Sequence, residues 1–342
     1  MTFSGLADAA VVFAMSATVI GVAGLRLTIC VEQIARVTGL GNLLAGTFLI
    51  GLVTSLSGLL TSVSAALDGH ASLAVSNSLG GIAAQTMFLA IADIAYKEAN
   101  LEHAAPSEGA LLTGVLLVAL LALVILAFAM PGPTIFGVHP VSFMLVLGYV
   151  GGLRLIAGAR RAPMWQPRGT ALTQLEADEK AGDEADSLPR LSVTFLLLAV
   201  LVGGSGWCLA QAAVAITAFT GIGESVVGGV LTAITTSLPE LVVAVAAVHR
   251  GALALALGNI LGGNAFDVLF LAASDVAYRE GSVYAGLGGT DLFWGALSIL
   301  LVAVLLMGML RREKHGFGNI GFESAAILLL YFAGVVALIL AS

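Results

Sequence analysis

The chain has 342 residues, 59% hydrophobic and only 10% charged, with 42 glycines and a net charge of −7. Soluble domains carry about 25% charged residues, so this composition and a mean hydropathy of +1.04 exclude a soluble enzyme or a nucleic-acid binder. They mark an integral membrane protein whose first partner is the lipid bilayer.

Apolar segments fall near 8–28, 41–66, 72–95, 110–130, 138–158, 191–212, 223–248, 253–277, 290–310 and 322–341, each close to the roughly 20 residues of a spanning helix. The reading is an all-α membrane protein of ten transmembrane helices. No Lys or Arg precedes Arg26 and no persuasive cleavage site follows the first segment, so that segment is expected to stay as a helix. Cys30 and Cys208 lack CxxC spacing and read as small hydrophobes.

The chain repeats itself at an offset of 182 without a gap. Thr54-Ser55-Leu56 matches Thr236-Ser237-Leu238, Asn77 matches Asn259, Leu79-Gly80-Gly81 matches Leu261-Gly262-Gly263, and Asp93-Ile94-Ala95-Tyr96 matches Asp275-Val276-Ala277-Tyr278. Each copy holds five helices. An odd number sends the second copy into the membrane from the opposite side, so two inverted repeats are expected, 1–158 and 191–342, joined by a polar linker at 159–190. Nearly all Lys and Arg fall on the side of that linker, with Arg279 opposite. The linker is therefore assigned to the cytoplasm, and both termini to the outside of the cell membrane. Its acids, Glu176 to Asp186, read as a solvated tether. Asp93 and Asp275 read as caps at equivalent helix ends, and Glu32, His139 and Glu323 as solvated end residues.

The chemistry concentrates between Gly223 and Glu280. Thr236-Ser237-Leu238-Pro239-Glu240 sets a proline beside a carboxylate in mid-membrane, where a charge costs roughly 2.5–3.5 kcal/mol even on a mild scale. The proline frees backbone carbonyls, and spacing puts Thr236, Ser237 and Glu240 on one helix face. All are hard oxygen ligands suited to a cation. Gly258 to Asp267 then supplies Asn264 and Asp267, with paired glycines for close helix approach. Asn259 and its copy Asn77 read equally as ligands or as bridges across broken helices. No phosphate-binding loop, nucleophile elbow or His/Cys ligand set supports an enzyme, and no cofactor is expected.

These motifs, duplicated across nearly the whole chain, resemble the α-repeats of the calcium:cation antiporter superfamily, which includes the sodium/calcium exchangers. The resemblance implies ion sites enclosed by broken helices 2, 3, 7 and 8, with helices 1 and 6 sliding across them. It implies Thr236, Ser237, Glu240 and Asp267 as ion ligands of the second repeat, and Thr54 and Ser55 as hydroxyl ligands of the first. The first repeat departs from the pattern: Ser57-Gly58 stands where a second proline-glutamate pair is usual, and Ile82 and Gln85 stand opposite Asn264 and Asp267. Two carboxylates remain, with Gln85 a neutral ligand. Two charges balance one divalent ion or two monovalent ions, and make three bound sodium ions hard to neutralise. Three readings stay open: exchange of Ca²⁺ for Na⁺ or H⁺, exchange of Na⁺ or K⁺ for H⁺, and a non-transporting ion-binding relative. Retention of Thr54, Ser55 and Asn77 argues against the third.

Overall fold

The structure, a computed structural model, describes residues 1–38, 51, 53–96, 98–130, 132–161, 163, 166–171, 173, 187–316 and 320–341. Among these it is helical, with a lone bridge between Ile135 and Val138 and no strand. The first half contains α1 (Leu6–Thr38), α2 (Leu56–Leu67), α3 (Ala71–Ala95), the single turn α4 (Leu101–Ala104), α5 (Glu108–Ala129) and α6 (Pro140–Arg161). The second contains α7 (Leu188–Thr220), α8 (Glu224–Thr236, with a π-helical middle at Val227–Thr232), α9 (Leu238–His249), α10 (Leu253–Asp267), α11 (Leu269–Ala277), α12 (Gly289–Arg311) and α13 (Phe322–Ala341).

Eight spans among the described residues are long and apolar enough to cross a membrane, counting Leu253–Ala277 as one. The pair α8 and α9, bent by 44°, makes a ninth. Of the segment expected over 41–66, residues 41–50 and 52 lie outside the described residues; residues 51, 53–55 and most of α2 are its described part.

Element boundaries recur at the sequence offset of 182. Both ends of α1 match both ends of α7, α2 matches α9, α3 matches α10 plus α11, and α4 matches the 3-10 turn Val283–Gly286. The helix breaks match too. The chain turns at Ser55 (φ −77, ψ 0) and again at Ser237 (φ −96, ψ 5). Pro239 accounts for the second break, since it has no N–H to donate, whereas the first occurs with Ser57 in the corresponding place. Gly69 and Gly251, at φ 88° and 74°, adopt the left-handed conformation that turns α2 into α3 and α9 into α10.

The helix-end aspartates act as caps in mirrored form. Asp93 Oδ1 accepts from Leu101 N at 2.7 Å, and Oδ2 from Ser324 Oγ at 2.8 Å. Asp275 Oδ1 accepts from Val283 N at 2.9 Å, and Oδ2 from Ser142 Oγ at 2.7 Å. Both donor pairs are 182 positions apart. His139, expected at a solvated edge, is buried and gives its N–H to Asp275 at 2.7 Å. Each aspartate thereby ties the core helix of one half to the last helix of the other.

The core centres on α3 and α10, which are buried along most of their length. Residues such as Leu126, Leu147, Leu197, Val200, Leu329 and Leu340 on the outer helices are exposed, as lipid-facing side chains are. Where α3 crosses the π-helical segment, Gly80 meets the backbone of Gly229. A Cβ at Gly80 has no room there, so the glycine permits the crossing.

Candidate cation site

The two helix breaks meet in the core. Ser57 Oγ, just past the first, donates to the carbonyl of Thr236 at the second (3.1 Å). Gln85 reaches across from α3: its Nε2 donates to Asp267 Oδ2 at 2.6 Å and to Ser237 Oγ at 3.2 Å. Thr54 lies against Glu240 and Ser55 against Asp267, and the two carboxylates are close enough for their charges to interact. Hydroxyls of the first repeat thus face carboxylates of the second. The helical face expected for Thr236, Ser237 and Glu240 is not continuous, because the helix stops at Ser237 and Glu240 belongs to α9. The 44° bend, rather than helical spacing, gathers these residues.

Glu240 is 1% exposed and Asp267 2%, and no Lys or Arg among the described residues pairs with either. Both oxygens of Glu240, Asp267 Oδ1, Gln85 Oε1, Asn264 Oδ1 and Ser55 Oγ lack hydrogen-bond partners. Thr54 Oγ1 bonds instead to the carbonyl of Gly51 at 3.1 Å, and Thr236 Oγ1 to that of Ala233 at 3.3 Å. A buried carboxylate without donors is costly by several kcal/mol. A cluster of oxygen acceptors without donors is what a hard cation satisfies.

The asparagines divide. Asn77 Nδ2 bonds Gly58 O at 3.2 Å and Ser62 Oγ at 2.9 Å, which fastens α3 to α2 just past the break. Asn259 has no such hydroxyl, since Ala244 stands where Ser62 stands in the other copy, and both its polar atoms are buried without partners. Asn264 Nδ2 bonds Thr86 Oγ1 at 3.0 Å and keeps its oxygen free.

Three residues escape the sequence reading. Ser57 binds the Thr236 carbonyl, Ser78 Oγ donates to Asp267 O at 2.7 Å, and Phe270 lies over Gly58. Only Ser57 leaves a signal, as the residue opposite Pro239 when the copies are superposed.

Buried carboxylates meeting at backbone breaks in the core of a helical membrane protein are the arrangement in which secondary transporters hold ions. The chain belongs to the sodium/calcium exchanger protein family, whose model matches residues 9–156 and 191–341. The protein CaxA of Alkalimonas amylolytica is 27% identical over 329 residues, covering 91% of this chain and 92% of its own. The sodium/calcium exchanger MaX1 of Methanosarcina acetivorans is 33% identical over 113 residues, 33% of this chain and 32% of that one. The crystal structure of the H⁺/Ca²⁺ exchanger CAX superposes with a TM-score of 0.67 at 14% identity, covering 98% of this chain and 86% of that one. That likeness concerns the fold.

Proposed function

We propose that this chain is an alternating-access antiporter that exchanges one Ca²⁺ for two monovalent countercharges, H⁺ or Na⁺. The observation that carries the reading is the pair Glu240 and Asp267, buried together with three of their four oxygens and the neighbouring Gln85 Oε1 and Asn264 Oδ1 lacking hydrogen-bond partners, and the fourth held by the neutral Gln85 amide. Two carboxylates neutralise one divalent ion. Thr54, Ser55, Thr236, Ser237, Asn259 and Asn264 complete the candidate oxygen set, and Asn77 holds the break in place. A second reading, exchange of Na⁺ or K⁺ for H⁺, is favoured by the Gln85 amide, which takes up one oxygen of Asp267.

The architecture we infer has ten spans in two inverted five-helix repeats, 1–158 and 191–342, with the 159–190 linker cytoplasmic and both termini outside. The matched boundaries support it. A cysteine at the exposed Ala285 is then labelled by an impermeant thiol reagent in intact cells and one at Ala171 is not; the reverse pattern overturns the orientation.

The moving parts are α1 and α7. Gly24 of α1 rests on Pro239, and Gly206 of α7 on the carbonyl of Ser57. These contacts are again 182 positions apart and sit on the two breaks. Glycine at both crossings leaves a smooth surface along which the long helices slide past the site.

Ca²⁺ flux into proteoliposomes under imposed H⁺ or Na⁺ gradients tests the function. The expected result is gradient-driven Ca²⁺ uptake; Na⁺ or K⁺ flux driven by a H⁺ gradient without Ca²⁺ movement selects the second reading.

A further inference from the structure

A second group of acids lies at the far end of α3, away from the site above. One oxygen from each of Asp93, Glu102 and Glu323 lies within 4.8 Å of the other two. Glu323, expected at a solvated edge, is instead 1% exposed, and Glu102 is 2% exposed. Among the described residues no Lys, Arg or His forms an ion pair with any of the three. The Arg312 guanidinium nearby bonds the carbonyls of Arg168 and His103 instead. Asp93 is fully engaged as a cap, but both oxygens of Glu102 and Oε2 of Glu323 have no partner.

An independent observation comes from a neutral side chain. Asn100 is 1% exposed, and neither its oxygen nor its nitrogen has a hydrogen-bond partner. Its Nδ2 and the Glu323 carboxylate converge on the same face of Gly321, where a Cβ would contact both. The amide therefore borders the acidic group, and since neither of its atoms has a partner, the flipped amide turns Oδ1 toward an ion held there.

The inverted copy is an internal control. At the equivalent positions Asp275 replaces Asp93, Ser282 replaces Asn100, Tyr284 replaces Glu102 and Val141 replaces Glu323. There the aspartate is satisfied by four donors, Val283 N, Ser282 Oγ, His139 N and Ser142 Oγ. Capping the helix end thus needs one carboxylate and no glutamate. The two glutamates and the asparagine serve something the fold does not require.

We propose that Asp93, Glu102, Glu323 and the Asn100 side chain form a second cation site, for a divalent ion of the Ca²⁺ class, at the end of the molecule that carries the 159–190 linker. The donors are hard oxygens, and three buried carboxylates without a protein cation are matched by a divalent charge. The ligands come from the end of α3, from the turn leading into α4, from α4 itself and from α13, so an ion there fastens three elements together. α4 is also joined to the linker: His103 Nε2 contacts Thr170 Oγ1 at 3.0 Å, and Arg312 bonds both His103 O and Arg168 O. The site is regulatory in placement, a sensor of the ion on the linker side rather than a step on the transport path.

The test uses the full chain with the central site disabled by Glu240→Gln and Asp267→Asn, so that it is independent of the proposed transport function. Equilibrium binding of ⁴⁵Ca²⁺ is expected to retain one ion per chain, lost on adding Glu102→Gln and Glu323→Gln. The thermal midpoint of the parent is expected to rise with Ca²⁺, and that of the glutamine variant to be insensitive to it. Asn100→Ser, which installs the residue used by the other copy, is expected to weaken binding severalfold. Absence of residual binding and of a Ca²⁺-dependent rise in the parent overturns the proposal, as does undiminished binding in the glutamine variant or unchanged affinity in Asn100→Ser. A cluster held by protons alone gives the first of these results.

Discussion

Phe270 occupies the space that a side chain at Gly58 would need: a Cβ there would lie 2.8 Å from Phe270 Cε2 and 3.6 Å from Thr236 Oγ1. Gly58 is the position opposite Glu240. Where the resemblance leads one to expect a second acid, an aromatic ring from α11 fills the space instead. Gly58→Glu alone is expected to destabilise the protein by about 1–3 kcal/mol through overpacking, with no gain in sodium coupling. Combined with Phe270→Ala, the new carboxylate has room beside Thr236, and exchange is expected to become Na⁺-dependent and electrogenic. Flux assays on the single and double variants check both outcomes; sodium-coupled exchange in the single variant contradicts the steric argument.

Glu240→Gln and Asp267→Asn are each expected to abolish exchange, by about a hundredfold or more, while the protein elutes and unfolds normally. Removing one charge leaves a divalent ion half neutralised in a site with no other charge, whereas the apo protein loses a buried carboxylate without any hydrogen-bond partner at Glu240, or one held only by the Gln85 amide at Asp267. Its thermal midpoint should stay level or rise. Wild-type flux in either variant, at matched expression, would refute the ligand assignment.

Side chains added at Gly24 or Gly206 should slow transport without removing ion binding. A Cβ at Gly24 would sit 2.7 Å from Pro239 Cγ, and one at Gly206 2.8 Å from the Ser57 carbonyl oxygen. Gly24→Val and Gly206→Val are expected to cut the exchange rate by about tenfold or more, the equivalent of about 1.4 kcal/mol in barrier, with the affinity for Ca²⁺ little changed. Loss of binding together with rate would instead place these glycines in the fold of the site.

His70, at the turn between α2 and α3, bonds Glu224 at 2.6 Å, and this partner, with a smaller contribution from Asp68, holds the imidazole above its ordinary pKa against the opposing effect of burial. The raised value means that the protonated pair stabilises the folded state fully below about pH 6.5, the unperturbed histidine value, and that this contribution fades as pH rises through the raised one. The difference in thermal midpoint between wild type and His70→Gln should therefore be largest in mild acid and shrink in alkali. A difference that grows with pH contradicts the pairing.

Much of the fold is legible in the sequence because its evidence is periodic. Apolar segments of spanning length and a gapless offset of 182 place α1, α3 and α7 and the matching helix ends, and the caps at Asp93 and Asp275 follow from their equivalent positions. The candidate ligands of the second repeat stand out in the sequence because a proline and a carboxylate inside an apolar segment are costly and so conspicuous. What stays hidden depends on contacts between distant residues. Nothing local says that the Gln85 amide binds Asp267, that Phe270 fills the space at Gly58, or that Glu102 and Glu323 converge across 221 positions. Glu323 looks like a helix-end residue because its neighbours are apolar on one side only; it is covered by Gly308 of α12 and by the acids of α3 and α4, which sequence spacing cannot bring to it.

The claim that two carboxylates set the exchange is tested most directly by Ca²⁺ uptake into proteoliposomes clamped at zero and at about −100 mV, with H⁺ and then Na⁺ as countercation. One Ca²⁺ against two countercharges moves no net charge, so equal initial rates and equal end points are expected at both potentials. Three sodium ions would carry one net charge per cycle, which the potential biases by about 2.3 kcal/mol, and a clear dependence of the end point on voltage in the unmodified protein would contradict the two-charge site.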